Sequence, residues 1–188
     1  MKKIVAAMMM TSALMANDSG IYVGVDVGSA DNTDKMSVER ATFKNDNRYN
    51  EVKVKVGFEA DEATKVQLTF SKIEYDEKVF PPNSTGTTLY EGGIDLIKEF
   101  EITSSLYPFI KIGIGYGKMD SKHAVMDNVK EISSNIGAGI LYKLIGGVSA
   151  EVGCDYVYRR WDNVSDGSLT YEMRGSAIKP YVGLNYEF

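Results

Sequence analysis

From residue 21 onward, apolar and polar residues alternate with a period of two, the mark of a β-strand whose two faces meet different surroundings. Residues 21–28 place Ile21, Val23, Val25 and Val27 on one face and Tyr22, Gly24, Asp26 and Gly28 on the other. Residues 51–59 oppose Val52, Val54, Val56 and Phe58 to Glu51, Lys53, Lys55, Gly57 and Glu59. The rhythm returns over 65–71, 90–96, 106–117, 132–142, 148–158 and 178–188. Eight runs predict eight strands, most of them near the roughly 9–11 residues that a tilted membrane strand needs.

The connections alternate in length. Long polar stretches follow strands one, three, five and seven (29–50, 72–89, 118–131 and 159–177), whereas 60–64, 97–105 and 143–147 are short. Long loops on one side and tight turns on the other are the habit of membrane barrels, with the turns periplasmic and the loops extracellular. The long stretches are rich in Asp, Asn, Ser, Thr and Gly and include Pro81-Pro82, so they read as solvated loops. An even strand count places both termini on the turn side.

Alternation alone does not say which face points outward; a soluble ligand-binding barrel shows the same rhythm inverted in space. Two features favour lipid outside. Aromatics on the apolar face gather at strand ends, Phe58, Tyr142, Tyr186 and Phe188 toward the turns and Phe70, Tyr90, Tyr116 and Tyr158 toward the loops, as interfacial girdles do. The opposite face mixes glycines with Glu51, Lys53, Lys55, Glu91, Asp95, Lys111, Glu151, Asp155 and Lys179. Placed outward at mid-membrane, each of those lysines would cost roughly 2–4 kcal/mol. The expected fold is an all-β, eight-stranded antiparallel up-and-down transmembrane β-barrel.

The bulk numbers conceal this. Charged residues are 25% of the 188-residue chain and mean hydropathy is −0.20, values of a soluble protein, because two unlike faces cancel in an average. The start reads differently: Met1-Lys2-Lys3 is cationic, residues 4–16 are apolar or small, and Asn17-Asp18 turns polar. That predicts a signal peptide over 1–16, cut after Ala16 or after Ala13, and a barrel over 17–188. Its loss removes Lys2 and Lys3 from the 21 basic residues, leaving 19 against 26 acidic, a net charge of −7. No basic patch invites nucleic acid, and one cysteine, Cys154, excludes an intramolecular disulfide.

The ending Tyr181-Val182-Gly183-Leu184-Asn185-Tyr186-Glu187-Phe188 resembles the terminal strand of bacterial outer-membrane proteins, and the whole of 17–188 resembles the OmpX-like group and the membrane domain of OmpA-like proteins. The resemblance implies a monomer in the bacterial outer membrane, in contact with outer-membrane lipids and lipopolysaccharide, and delivered to the barrel assembly machinery through the strand that ends at Phe188. The resemblance implies architecture more than activity; the expected role is structural or surface-interactive, in adhesion, defence resistance or envelope integrity. A narrow porin-like channel, a lipid A-modifying barrel enzyme and a soluble ligand-binding barrel are the alternatives.

Candidate chemistry is sparse, and no catalytic, cofactor or metal residue is assigned. The only histidine, His123, stands near Ser121 in a polar loop with no matching partner motif, so a solvated histidine is expected rather than a Ser–His nucleophile. Asp31, Asn32 and Asp34 match no defined Ca²⁺ loop. Arg159-Arg160-Trp161 at the outer rim suits lipid phosphates or plain interfacial anchoring. Cys154 falls on the lipid face as a small hydrophobe.

Overall fold

The computed structural model describes residues 20–38, 41–61, 63–76, 79, 87–119, 129–165 and 170–188. The leader over 1–16, Pro81-Pro82, Ser121 and His123 lie outside the described residues. The strands are β1 (Ile21–Val38), β2 (Ala41–Asp61), β3 (Thr64–Tyr75), β4 (Thr88–Glu99), β5 (Leu106–Met119), β6 (Val129–Lys143), β7 (Val148–Trp161), β8 (Val164–Ser165) and β9 (Thr170–Glu187). Each long strand pairs antiparallel with the next, β1 pairs with β9, and the two-residue β8 only flanks β9. Eight long strands therefore close a ring with no free edge, the device that satisfies every ladder hydrogen bond in lipid.

The register fixes the dimensions. Starting at Val25 and stepping through Val54, Phe70, Gly92, Tyr116, Ile132, Arg160 and Arg174 returns to β1 at Lys35, a shear of ten residues. Eight strands with that shear tilt by ~40° and enclose a cylinder of roughly 8 Å radius. Side chains alone fill such a space. Along β5 the outward face from Leu106 to Tyr116 spans ~25 Å at this tilt, the height of a membrane barrel's apolar band.

Burial settles which face is which. Val25, Val54, Leu68, Ile94, Ile112, Ile136, Val152 and Leu184 are exposed, while Asp26, Lys53, Lys55, Asp95, Lys111, Asp155 and Lys179 are buried. The apolar face points outward, and the charged face fills the lumen. Of the aromatics expected at both ends, Phe58, Tyr142 and Tyr186 and also Phe70, Tyr90, Tyr116 and Tyr158 are exposed on the outer wall, and Phe188 is half-buried.

All four stretches read as long loops from sequence contain strand. Residues 29–50 are mostly the upper half of a β1–β2 hairpin paired from Ile21↔Phe58 to Val38↔Ala41. β3 runs on to Tyr75 and β7 to Trp161. The reason is a phase reversal. Beyond the girdle the pleat continues, but polarity swaps sides: Ile73, Tyr75, Leu89, Met119, Val129 and Trp161 turn inward and are buried, while Lys72, Glu74, Lys118, Lys130 and Arg160 face out and are exposed. Above the lipid the surroundings are water, so the apolar face must be the inner one.

Glycines make the lumen packable. Tyr22 lies across Gly57, Tyr181 across Gly153 and Phe109 across Gly139 in direct cross-strand pairs. A Cβ at Gly57 would come within 2.3 Å of the Tyr22 ring. At Gly113 and Gly137 the same space is filled by the carboxylates of Asp95 and Asp155. At the 144–147 turn, Gly146 and Gly147 take φ of 65° and 79°, where other residues are strained.

Candidate functional site: a filled lumen

Every strand sends its inward residues into one column, which separates into three layers. At the loop end Tyr49, Ile73, Leu89, Met119, Trp161 and Met173 pack as an apolar plug with Ala30, Tyr75 and Val129. At the turn end Ile97, Phe109, Leu141 and Tyr181 pack together, with Tyr107 against them. Charges occupy the space between and reach both ends, Lys65 lying 3.1 Å from Glu99 at the turn end and Asp34 and Glu131 being buried beside the plug.

Most of the charged layer is ion-paired. Lys55 Nζ lies 2.7 Å from Asp26 Oδ1 and 2.6 Å from Glu151 Oε1, and Asn185 donates to Glu151 at 2.8 Å. Lys179 donates to Glu51 at 2.5 Å, as does the Ser71 hydroxyl at 2.6 Å. Lys111 sits 3.0 Å from Asp155 and donates to the Tyr181 hydroxyl at 3.0 Å. Gln67 and Asn135 both donate amide N–H to Asp95. Nearer the plug, Arg159 donates to the Tyr49 hydroxyl at 3.0 Å and stands 3.4 Å from Glu91. Charges in a water-poor core are tolerable only when compensated by an opposite charge or by hydrogen bonds; Asp155 is compensated by Lys111 and Lys179 without accepting a hydrogen bond, and Asp95 by hydrogen bonds alone. Two small lumen cavities measure about 20 and 10 Å³, room for at most one water each.

The residues singled out from sequence do not assemble into a site. Asp31, Asn32 and Asp34 alternate along β1, so Asp31 faces out to pair with Arg48 at 2.9 Å while Asn32 and Asp34 are buried inside. A shared cation would need them on one side. Among the described residues no group of three or more metal-ligating side chains gathers. Arg159-Arg160-Trp161 splits likewise: Arg159 and Trp161 point inward and are buried, and only Arg160 remains at the rim. Period-two geometry forbids three consecutive strand residues from sharing a face. Cys154 is exposed on the outer wall as expected.

Several groups beyond the lipid band are perturbed, among them Asp34 and Asp61. Burial pushes the Asp34 carboxyl up to about 6, opposed by Asn32 and Arg159. At the β2–β3 turn, the Ala63 N–H donating at 3.0 Å holds Asp61 below the usual carboxylate range.

No protein-family model matches the sequence, and no curated relative matches it either. Solved structures do match. The Neisserial surface protein NspA aligns with TM-score 0.62 at 17% identity, covering 90% of this chain and 98% of that one. The chain has the fold of the small outer-membrane β-barrels. AlkL, an outer-membrane protein solved in lipid bilayers, aligns with TM-score 0.58 at 11% identity over 92% of each chain. OprG from Pseudomonas aeruginosa aligns with TM-score 0.56 at 10% identity, covering 90% of this chain and 96% of that one. At these identities the likeness is one of fold alone.

Proposed function

We propose that this barrel is a non-conducting, non-catalytic anchor in the bacterial outer membrane that presents its loop side at the cell surface, in adhesion, defence resistance or envelope integrity. One observation carries the reading: both ends of the lumen are filled by packed apolar layers and the layer between them is paired charge. A filled column leaves no water path, so the functional surface is the outside of the upper strands and the loops. The β1–β2 hairpin, polar on its outer face well past the lipid band, supports the same view. The structural neighbour NspA is itself a Neisserial surface protein, which agrees with it. Phe188, just past β9, donates its N–H to the Ile21 carbonyl at 3.0 Å and packs its ring edge-on against Tyr186, which supports β9 as the strand offered to the barrel assembly machinery.

Planar lipid bilayers provide the test. Purified protein is expected to give no discrete conductance steps, and steady steps of fixed size would replace this reading with the narrow channel. Protease added to intact cells is expected to cut within the loop side and to spare the turns.

A further inference from the structure

We infer that the outer wall at the β1–β9 seam binds the phosphorylated headgroup of an outer-leaflet glycolipid of the lipid A type. The inference rests on the loop side facing the cell exterior, as proposed above.

The loop-side girdle runs through Phe70, Tyr90, Tyr116 and Tyr158, on β3, β4, β5 and β7. It then stops. Directly opposite Tyr158 on β9 stands Ser176, and opposite Ser176 on β1 stands Thr33. Where rings would seal the interface there is instead an open groove of about 630 Å³ on the outer wall, lined by Ser29, Thr33, Ser176, Ile178 and Pro180 among others, with Asp31 on its wall neutralised by Arg48 at 2.9 Å. Its floor is loosened as well. The β1–β9 ladder skips Ser29 and Ala30 between Gly28↔Tyr181 and Asp31↔Ile178, and Pro180, which has no N–H to donate, falls in that gap.

One residue pair above this groove is a row of cations. Arg160 on β7 is directly opposite Arg174 on β9, Arg174 is opposite Lys35 on β1, and Lys35 is opposite Lys44 on β2. All four are exposed on the outer face. Among the described residues, Glu172, 3.6 Å from Arg174, is the only carboxylate within ion-pair reach of the row. Like charges directly opposite each other on a sheet are destabilising. Three such pairs in succession therefore call for an anion. A headgroup with phosphates on a sugar core fits the vertical order: phosphate beside Arg160, Arg174 and Lys35, sugar hydroxyls beside Ser176, Thr33 and Ser29, and acyl chain against Ile178 and Pro180. Arginine's fork suits phosphate in particular.

The probe is bisphosphorylated lipid A added to the detergent-purified barrel and read by native mass spectrometry. The comparison ligands are dephosphorylated lipid A, phosphatidylcholine and free pyrophosphate. Wild type is expected to retain bisphosphorylated lipid A at least tenfold more tightly than the Lys35→Gln/Arg160→Gln/Arg174→Gln variant, and to discriminate against the dephosphorylated form. Ser176→Trp, which fills the groove and keeps the cations, is expected to lose lipid A equally. Heat-dependent gel mobility checks that each variant is folded. Equal retention by the charge variant, equal binding of dephosphorylated lipid A, or pyrophosphate binding that rivals the lipid would each overturn the site. Binding in detergent does not depend on membrane orientation, so a failure here is separate from failure of the surface-display reading, which the protease experiment decides.

Discussion

Replacing Lys55 with Met removes the one cation shared by Asp26 and Glu151, which approach its Nζ at 2.7 and 2.6 Å. All three side chains are at most 9% exposed. At an effective dielectric of ~20, each contact at that separation is worth about 6 kcal/mol of Coulomb attraction, most of it spent on desolvating the ions. Removal of the shared partner leaves two carboxylates in a core with little water, and breaking a buried pair in this way costs about 3–5 kcal/mol. Urea unfolding in lipid vesicles, followed through the emission of Trp161, is the assay. Trp161 is the only tryptophan and is buried in the loop-side plug, remote from the substitution and so a reporter of global unfolding. The triple variant Lys55→Met/Asp26→Asn/Glu151→Gln, which deletes the charges together, is expected to recover all but about 1 kcal/mol, because neutral groups need no counter-ion. A cost below about 1 kcal/mol for Lys55→Met alone, or a triple variant no better than the single one, refutes the paired-charge account of the lumen.

Further outcomes are expected. Ile112→Arg places a charge at the middle of the lipid face and should cost about 2–4 kcal/mol in the same assay, whereas a cost near zero would mean that this wall does not meet lipid. Gly153→Ala brings a Cβ within 2.5 Å of the Tyr181 hydroxyl and should cost about 1–3 kcal/mol by overpacking; Gly92→Ala, with nothing nearer than 3.9 Å, is the neutral control. Asp34 is raised to about 6 by burial, so the fold holds its proton more tightly than the unfolded chain does. Stability should fall as pH rises from ~4 to ~6 and level off above, by up to about 3 kcal/mol. Asp34→Asn should erase that slope, and a pH profile unchanged by the substitution would contradict it.

Much of this was legible in the alternation. Val52-Lys53-Val54-Lys55 can only be a strand between two unlike media, and eight such runs with alternating short and long connections leave few topologies besides an up-and-down barrel. The cost of a lysine in hydrocarbon then decided that Lys53 and Lys55 face inward, and Tyr116 and Tyr158 marked the upper boundary. Strand ends were less legible. At Ser71-Lys72-Ile73 the period holds while its phase flips, and a pattern read against one pair of media ends the strand where only the medium has changed. Arg159 and Trp161 were misplaced for that reason: at the rim a charge and an indole suit the outer face, but residue parity points both inward.

What the sequence determined by itself is therefore everything that follows from period and solvent: the class, the strand count, the direction of the apolar face. Tertiary structure alone decided whatever depends on register between distant strands. Lys55 meets Glu151 across 96 positions, and Lys179 meets Glu51 across 128. Only a ring closed with a shear of ten puts those partners at one height, and only that ring brings Arg160, Arg174 and Lys35 into one row. Period two specifies which side of a strand a residue occupies, and the hydrogen-bond register specifies what stands opposite it.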